Sequence, residues 1–197
     1  MHSRFEPVAL AHACRLINHG PTVLVTSRHG ETRNIMAAAW SMPVEFSPPR
    51  IAIVIDKATF SRELIAASGH FGVCIPAASF VQQTYAVGSV SGREGDKFER
   101  FGIASFDGPV LGVPLIEDGA AAWMECRLIP ESHTEDAYDT CFAEVVNAAA
   151  DPLAFSGGHW KFSEANSSLH TLHHLGAGNF VVAGKVISAA KPASVDV

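Results

Sequence analysis

Most apolar segments of this chain are short and are bounded by glycine, proline or polar residues, a pattern that is typical of strands. Two of them, residues 22–28 and 34–40, flank a His29-Gly30-Glu31 turn, where Gly30 can adopt the positive φ of a tight hairpin. Four more strands are predicted, at residues 50–56, 71–75, 121–129 and 141–148. Residues 43–49, which contain two adjacent prolines, are predicted as a turn region, and residues 131–139 as an acidic loop.

Helical signals are fewer and depend on capping residues. Thr59 is a good N-cap residue, and Ser79 with Gln82, like Asp96 with Glu99, has the spacing of a capping box. Helices are therefore predicted at residues 7–19, 59–69, 79–87 (closed by Gly88) and 96–101. Because strands outnumber helices, the pattern favours a mainly β fold, an antiparallel barrel or sandwich with inserted helices, over a doubly wound sheet.

Composition and charge set expectations about assembly and compartment. Hydrophobic residues make up 48% and charged residues 17% of the 197 residues, which is apolar for a soluble monomer and predicts a subunit interface. A net charge of −6 without a Lys/Arg run disfavours nucleic acid and anionic membranes as partners. No membrane-length run, secretion signal or CxxC pair is present, so we expect a single-domain cytoplasmic protein (1–197) with reduced thiols.

Three stretches combine hydroxyl groups with cations and are candidate anion sites. Residues 56–61 (DKATFS) begin a helix, whose free N–H groups and partial positive charge attract anions. Residues 89–98 (SVSGREGDKF) bring two serines, two glycines, an arginine and a lysine together. The third is Thr26 with Arg28 at the end of the first strand. Simple helix capping and a solvated turn are the alternative interpretations of the first two.

Three small side chains, Ala37, Ala38 and Ala39, stand directly before Trp40. Because small residues pack poorly in a strand, another object can lie close to the backbone there, and a flat ring would suit that surface. A hairpin with an alanine-filled core layer explains the same residues.

The histidines His170, His173 and His174 form an H-x-x-H-H pattern, whose spacing would place them on one face of a helix. A histidine-lined pocket or plain surface is favoured over a zinc site, because no HExxH pattern accompanies them. Neither a GxGxxG or GK[ST] phosphate loop nor a GxSxG nucleophile elbow is present, so dinucleotide-fold and hydrolase functions lack support.

Three separated motifs carry a family resemblance. They are NIMAAAWS (34–41), PPRIAIVIDKATFS (48–61) and SGREGDKF (91–98). In this order and spacing they resemble the flavin reductase-like, FMN-binding split-barrel family, and most closely its flavoredoxin branch. The resemblance covers residues 21–148 and leaves the structure of residues 151–197 open. It implies a six-stranded antiparallel split β-barrel, a homodimer, and one FMN per subunit near the interface.

The resemblance also assigns roles to positions of this chain. It implies that the flavin ring is lined by Ala38, Ala39, Trp40 and Ser41. It places at the phosphate and ribityl end Lys57, Thr59, Phe60, Ser89, Ser91, Gly92, Arg93 and Lys97. The cofactor-binding set further includes Thr26, Met36, Ala37, Asp56 and Phe98.

The implied activity is that of an FMN-dependent oxidoreductase, like a flavin reductase or a flavoredoxin. Electrons from NADH, NADPH or a partner protein would pass through bound FMN to a small-molecule or protein acceptor, and because the flavin carries this chemistry no catalytic side chain is assigned. Short NAD(P)H:flavin reductases have a D-H-x-x-x-x-G segment, whereas residues 140–147 read TCFAEVVN, which leaves the donor open. The flavoredoxin branch has paired aromatic residues where this chain has His173 and His174, so these histidines are candidates to face the flavin.

Two alternatives stay open at this level. One is a non-catalytic flavin-binding module, such as a sensor or carrier. The other is a plain structural dimer, or a protein whose pocket holds a different ligand, for example haem on His170 or His173.

Overall fold

The computed structural model describes residues 20–189, so the helix predicted at residues 7–19 lies outside the described residues. The strands are β1 Val23–His29, β2 Thr32–Ala38, β3 Ser41–Phe46, β4 Pro49–Val54, β5 His70–Pro76, β6 Ser105–Asp107, β7 Pro114–Ile116, β8 Ala120–Ile129, β9 Thr140–Ala150, β10 Phe155–Ser156, β11 His159–Trp160, β12 Leu172–Gly176 and β13 Asn179–Val182. The α-helices are α1 Phe60–Ser68, α2 Val81–Ser89, α3 Lys97–Arg100 and α4 Ser132–Tyr138. Shorter 3-10 turns cover Ala78–Phe80, Gly92–Glu94 and Glu164–Leu169.

Seven strands form one antiparallel sheet in the order β2-β1-β5-β8-β9-β4-β3. Val25 of β1 and Ile53 of β4 belong to the same buried cluster, although three strands lie between β1 and β4 in the sheet. The sheet must therefore curve strongly so that one of its faces encloses this cluster. Ile65 of α1 packs into the same cluster.

The strand β1 is buried on both faces because its alternate side chains enter two different clusters. Val23 and Val25 point to the enclosed cluster. Leu24 points to a second cluster that includes Val87 of α2 and Phe98 of α3. The helices α2 and α3 thus cover the outer face of the sheet and lie beside β2, the strand that ends in Ala37 and Ala38.

The mainly β prediction is confirmed, and two of its details are corrected. The sheet has seven strands rather than six, because residues 43–46 of the predicted turn region belong to β3, which pairs with β4 at the edge of the sheet. The turn itself is confined to Ser47 and Pro48. A proline has no N–H to donate, so Pro43 is tolerated on an edge strand, where the register also shifts between Pro43 and Glu45.

The capping residues predict some helices well and others poorly. Thr59 caps α1, and the side chain of Asp96 accepts bonds from the N–H groups of Phe98 and Glu99 at the start of α3, as predicted. The capping box at Ser79 is wrong, because α2 begins at Val81 after a 3-10 turn without a side-chain cap. Gly88 does not end α2 but lies within it, and the predicted acidic loop contains α4.

The C-terminal part forms two small hairpins, β10–β11 and β12–β13. His173 and His174 are adjacent residues of β12, so H-x-x-H-H is not a helical pattern here. His170 precedes the strand and is buried, with its two ring nitrogens 2.8 Å from the Ala183 carbonyl oxygen and 2.9 Å from the Ser163 carbonyl oxygen.

The cysteines Cys74, Cys126 and Cys141 are buried free thiols. Burial raises the pKa of Cys74 and Cys126 to about 12 and the pKa of Cys141 to about 11. None of the helices within residues 20–189 is both long and apolar enough to cross a membrane.

Candidate functional site

A cleft runs along β2 and consists of two adjoining chambers. The apolar chamber, of about 180 Å³, is lined by Thr22, Ala37, Ala38, Ala39, Thr84, Tyr85, Gly88, Ser89, His174 and Phe180. The polar chamber, of about 300 Å³, is lined by Asn34, Met36, Ala37, Ala58, Thr59, Phe60, Ser61, Val87, Gly88, Val90, Ser91, Gly92 and Lys97. Both include Ala37 and Gly88, so the two chambers meet between β2 and α2.

The junction is narrow, and its width depends on a glycine. A Cβ atom added at Gly88 would lie 3.1 Å from the Cβ of Ala37, with no other heavy atom within 4 Å. Because Gly88 is exposed within α2, a larger side chain there would project into the junction rather than into the protein core. The small residues on both sides therefore keep the passage open.

The polar chamber is built at the start of α1 and at the 3-10 turn Gly92–Glu94. The Thr59 hydroxyl accepts a bond from the Arg62 N–H (3.3 Å), and the Ser91 hydroxyl accepts one from the Arg93 N–H (3.2 Å). A Cβ atom at Gly92 would lie only 2.2 Å from Oδ1 of Asn34, so only glycine lets this turn approach β2 so closely.

Three buried polar atoms that line the cleft have no hydrogen-bond partner in the described part of the chain. They are Oγ1 of Thr22, Oδ1 of Asn34 and Nε2 of His174. The hydroxyl of Ser27 is also buried without a partner, but Ser27 does not line the cleft. Because buried polar groups are nearly always paired, this concentration indicates that a ligand supplies the missing partners.

Lys97 forms part of the floor of the polar chamber and is only 3% exposed. Its ammonium donates to the carbonyl oxygens of Ile35 (2.9 Å) and Val87 (2.7 Å), which ties β2 to α2. Burial lowers the pKa of Lys97 to about 8, and the nearby Glu94 partly opposes this effect. An ammonium has three N–H donors, so one more bond is available to a ligand.

The structure brings most of the predicted cofactor residues together. Those that line the two chambers are Met36, Ala37, Ala38, Ala39, Thr59, Phe60, Ser89, Ser91, Gly92 and Lys97. Trp40 and Ser41 line a separate apolar groove, which begins at Ala39 and follows β3 and β4. The assignment of these residues to a cofactor stays a prediction.

Three predicted residues lie away from the cleft because other contacts hold them. The buried Thr26 hydroxyl donates to the Pro114 carbonyl, and the Phe98 ring belongs to the core cluster under α3. The Asp56 side chain accepts a bond from the Ala58 N–H (2.8 Å) and lines neither chamber.

The two most exposed predicted cations are also engaged elsewhere. Lys57 donates to the Asp136 carbonyl and lies 3.6 Å from the Asp139 carboxylate, so it faces α4. Arg93 forms an ion pair with Glu63 and lies over the Phe60 ring, 5.4 Å from its centroid. Neither lines the two chambers.

The predicted cofactor set did not include seven other polar, aromatic or glycine residues that line the cleft. They are Thr22, Asn34, Ser61, Thr84, Tyr85, Gly88 and Phe180. His174, a candidate without an assigned role, lies in the apolar chamber. Asn34 stands within the motif NIMAAAWS and could have been found there. Thr22, Tyr85 and Phe180 are far apart in the chain, so no local signal indicated them.

Within residues 20–189, no group of three or more His, Cys, Asp or Glu side chains is placed to hold a metal ion.

Comparison with known proteins gives matches over most of the chain. A family model described as flavin reductase like domain matches residues 15–164. An uncharacterized protein of Escherichia coli (strain K12), YddH, is 57% identical over 189 residues, which cover 95% of this chain and 99% of that protein.

Two solved structures have similar folds. An FMN-binding domain of a flavin reductases-like enzyme from Shewanella baltica OS155 has a TM-score of 0.83 at 39% identity, over 93% of this chain and 96% of that one. Flavoredoxin of Desulfovibrio vulgaris (Miyazaki F) has a TM-score of 0.74 at 24% identity, over 87% of this chain and 90% of its own. The same fold recurs in a protein with a split barrel domain from Shewanella frigidimarina NCIMB 400, with a TM-score of 0.75 at 13% identity over 98% of both chains, which confirms the predicted split-barrel fold class.

Proposed function

Since this chain belongs to the flavin reductase like domain family, we propose that it is an FMN-dependent oxidoreductase whose cleft holds the flavin. The observation that carries the proposal is the division of the cleft into an apolar and a polar chamber that meet at Ala37 and Gly88. FMN has the same division, with a flat ring system at one end and a phosphorylated ribityl chain at the other. The 39% identical Shewanella protein is an FMN-binding domain, which supports the same ligand here.

The residues present fit FMN. The unpartnered Asn34 Oδ1 in the polar chamber suits a ribityl hydroxyl, which can donate to it. Gly92 leaves room against Asn34 that a Cβ atom would fill. The unpaired atoms therefore lie along the length that an extended FMN would occupy.

In the polar chamber, the phosphate would be held by the Ser91 hydroxyl, by the N-terminal N–H groups of α1, and by the Thr59 hydroxyl once it turns away from the Asp56 carbonyl, to which it now donates (2.7 Å). Lys97 is the cation that lines this chamber. Helix N-termini attract phosphate because their N–H groups are unpaired and the helix dipole is positive there. Lys57 and Arg93, which the sequence resemblance assigned to the phosphate, are not needed for this arrangement.

In the apolar chamber, the ring would lie along Ala37, Ala38 and Ala39, whose small side chains leave the backbone of β2 accessible. Tyr85 and Phe180 would cover the ring from the other side, with their own rings 6.5 Å apart and nearly perpendicular. Bound FMN supplies hydride and electron transfer. The chain's own residues bind it, orient it along β2 and keep water from part of its surface.

FMN binding is the direct test. The purified chain, freed of flavin, is titrated with FMN and with riboflavin while the flavin fluorescence is measured. We expect one FMN per chain with a Kd of about 1 μM or below, and weaker binding of riboflavin because it lacks the phosphate. The absence of saturable FMN binding would overturn the proposal.

The same sample distinguishes the oxidoreductase from a non-catalytic module. NADH or NADPH is added to the FMN complex under argon, and the visible flavin bands are followed. Prompt bleaching identifies the donor and supports an oxidoreductase. Bands that persist with both nucleotides but bleach when dithionite is added would favour a carrier or a binding module.

We also propose that a second copy of this chain covers the apolar groove beside the cleft. The groove, of about 470 Å³, is lined by Ala39, Trp40, Ser41, Met42, Val44, Ala52, Ile53, Val54, Thr140 and Phe142. Met42 on the edge strand β3 is 61% exposed, and Trp40, directly before that strand, is 50% exposed, which is unusual for such large apolar side chains. Ala39 lines both the groove and the apolar chamber, so the partner would lie next to the flavin ring.

Light scattering after gel filtration tests this arrangement. We expect a dimer for the natural chain and a monomer for Met42→Asp. Leu153→Asp is the matched control, because Leu153 is 68% exposed but does not line the groove. A dimer that persists in Met42→Asp would place the interface elsewhere.

A further inference from the structure

The C-terminal hairpin β12–β13 forms one wall of the apolar chamber. It is attached to the start of β1 by a bond from the Thr22 N–H to the Leu172 carbonyl (2.7 Å) and by a bridge between Pro21 and His173. A second bridge joins Thr171 to Ala77 at the end of β5. The hairpin is therefore fixed to the sheet from two sides.

This attachment places His174 inside the chamber in a defined orientation. The His174 ring lies 4.9 Å from the Phe180 ring at an angle of 45°, and Phe180 in turn contacts Tyr85. Gly178 brings the hairpin turn close to Tyr85, since an added Cβ atom would lie 3.1 Å from that ring. The aromatic contacts restrict the rotation of the imidazole.

Two unpartnered polar atoms thus share one chamber. Oγ1 of Thr22 belongs to a residue that is only 3% exposed, and Nε2 of His174 is buried within the same lining. The remaining surface consists largely of alanine methyl groups and aromatic rings. A wholly apolar ligand would leave both atoms unpaired, which costs free energy.

We propose that Thr22 and His174 donate hydrogen bonds to the polar edge of the flavin ring and favour its reduced form. This inference rests on the proposed function. The edge of the isoalloxazine carries carbonyl oxygens and ring nitrogens, which accept hydrogen bonds and gain negative charge on reduction. Donors placed before the reaction stabilise such charge more than they stabilise the oxidised ring. In this role His174 contacts the flavin directly and does not donate a proton to substrate.

The test compares the reduction potential of bound FMN in variants that keep or remove the donor. Thr22→Val and His174→Phe preserve shape or aromatic packing without the donor, and His174→Gln restores an N–H group. In the first two we expect the preference for reduced over oxidised FMN to fall at least tenfold, which corresponds to about 30 mV for a two-electron couple. His174→Gln should recover part of the loss.

Ser27→Ala is the matched control. Ser27 lies on β1, and its hydroxyl is buried without a partner, like that of Thr22. Unlike Thr22, Ser27 does not line the cleft. The potential of bound FMN should stay unchanged in this variant.

A second measurement needs no variant. FMN labelled with ¹³C at its ring carbonyls is bound to the natural chain, and a downfield shift of a carbonyl signal on binding is expected from a donated hydrogen bond. Unchanged carbonyl shifts and unchanged potentials in a chain that binds FMN would overturn this inference and leave the proposed function intact. If the Thr22 and His174 variants changed only the KM of the electron acceptor, these two residues would face the substrate and not the flavin. That result would also overturn this inference. A chain that does not bind FMN would overturn the proposed function itself.

Discussion

The two ends of the cleft are built in different ways. The polar chamber is formed by short segments that carry their own local signals, such as the Thr59 cap of α1 and the Ser91-Gly92 turn. The apolar chamber is assembled from residues as distant as Thr22, Tyr85 and Phe180. Binding of the phosphate should therefore depend on local capping geometry, whereas binding of the ring should depend on long-range docking of α2 and the C-terminal hairpin.

The largest effect is expected where the two chambers meet. Gly88→Leu fills the junction and should raise the Kd for FMN by at least about a hundredfold, or about 2.7 kcal/mol. The free energy of unfolding without FMN should stay the same or rise slightly, since leucine favours the helix more than glycine by up to about 1 kcal/mol. Denaturant unfolding and FMN titration together measure both quantities.

Gly88→Ala is the graded control, because its methyl group meets only the Ala37 Cβ at 3.1 Å. Its affinity should lie between that of the natural chain and Gly88→Leu. Full FMN affinity in Gly88→Leu would mean that the ligand does not pass between the chambers.

A second change separates the two ends by the choice of ligand. Thr59→Val with Ser91→Ala should weaken FMN binding by about tenfold to a hundredfold, since hydrogen bonds to a charged group contribute about 1.5–3 kcal/mol. Riboflavin has no phosphate, so its affinity for the same variant should change little. An equal loss for both flavins would show that the variant disturbs the apolar chamber or the fold.

The pH dependence of binding should also differ between FMN and riboflavin. A phosphate dianion in the polar chamber favours the ammonium form, so binding raises the pKa of Lys97 from its value of about 8. FMN then binds with uptake of a proton above pH 8. Its affinity is highest below pH 8 and falls as the pH rises, by up to about fivefold between pH 8 and 9. Calorimetric titration in two buffers of different ionisation enthalpy measures the proton uptake.

Lys97→Met provides the comparison for this pH effect. The variant should bind FMN more weakly but with no pH dependence between 7 and 9, and riboflavin should show none in either protein. A slope that persists in Lys97→Met would assign the titration to another group.

The smallest effect is expected for Lys57, although the sequence places it in the phosphate site. Since its ammonium faces Asp136 and Asp139 instead, Lys57→Ala should change the Kd for FMN by less than about twofold. The exposed contact contributes about 0–1 kcal/mol to stability, so unfolding should change little as well. A tenfold loss of FMN affinity would restore Lys57 to the phosphate site.

The same contrast explains what could be predicted from the sequence. The β1–β2 hairpin, the Thr59 cap and the Asp96 cap depend on neighbouring residues, so local rules found them. Ser79 failed as a cap because the chain forms a 3-10 turn before α2. The sequence assigns Lys57 and Arg93 to the phosphate, but both cations pair with carboxylates, Lys57 with Asp139 and Arg93 with Glu63. Spacing along the chain does not show such tertiary contacts.

The same limit applies to the C-terminal part. Residues 43–46 belong to an edge strand because β4 offers a partner, and this pairing overrides the turn preference of Pro43, whereas Ser47 and Pro48 keep the turn that was predicted for the whole segment. His174 reaches the cleft only because Thr22 and Ala77 dock the hairpin, and these contacts join residues about 90 to 150 positions apart. Periodicity within the segment could not indicate them.

The three buried thiols make the chain its own reporter of unfolding. Only a thiolate reacts quickly with alkylating reagents, and burial keeps the pKa of Cys74 and Cys126 near 12 and that of Cys141 near 11. Modification of these three residues therefore has to wait until the sheet opens. The rate of their labelling, followed by mass spectrometry, measures how often the strands β5, β8 and β9 separate. A ligand that binds in the cleft should lower this labelling rate.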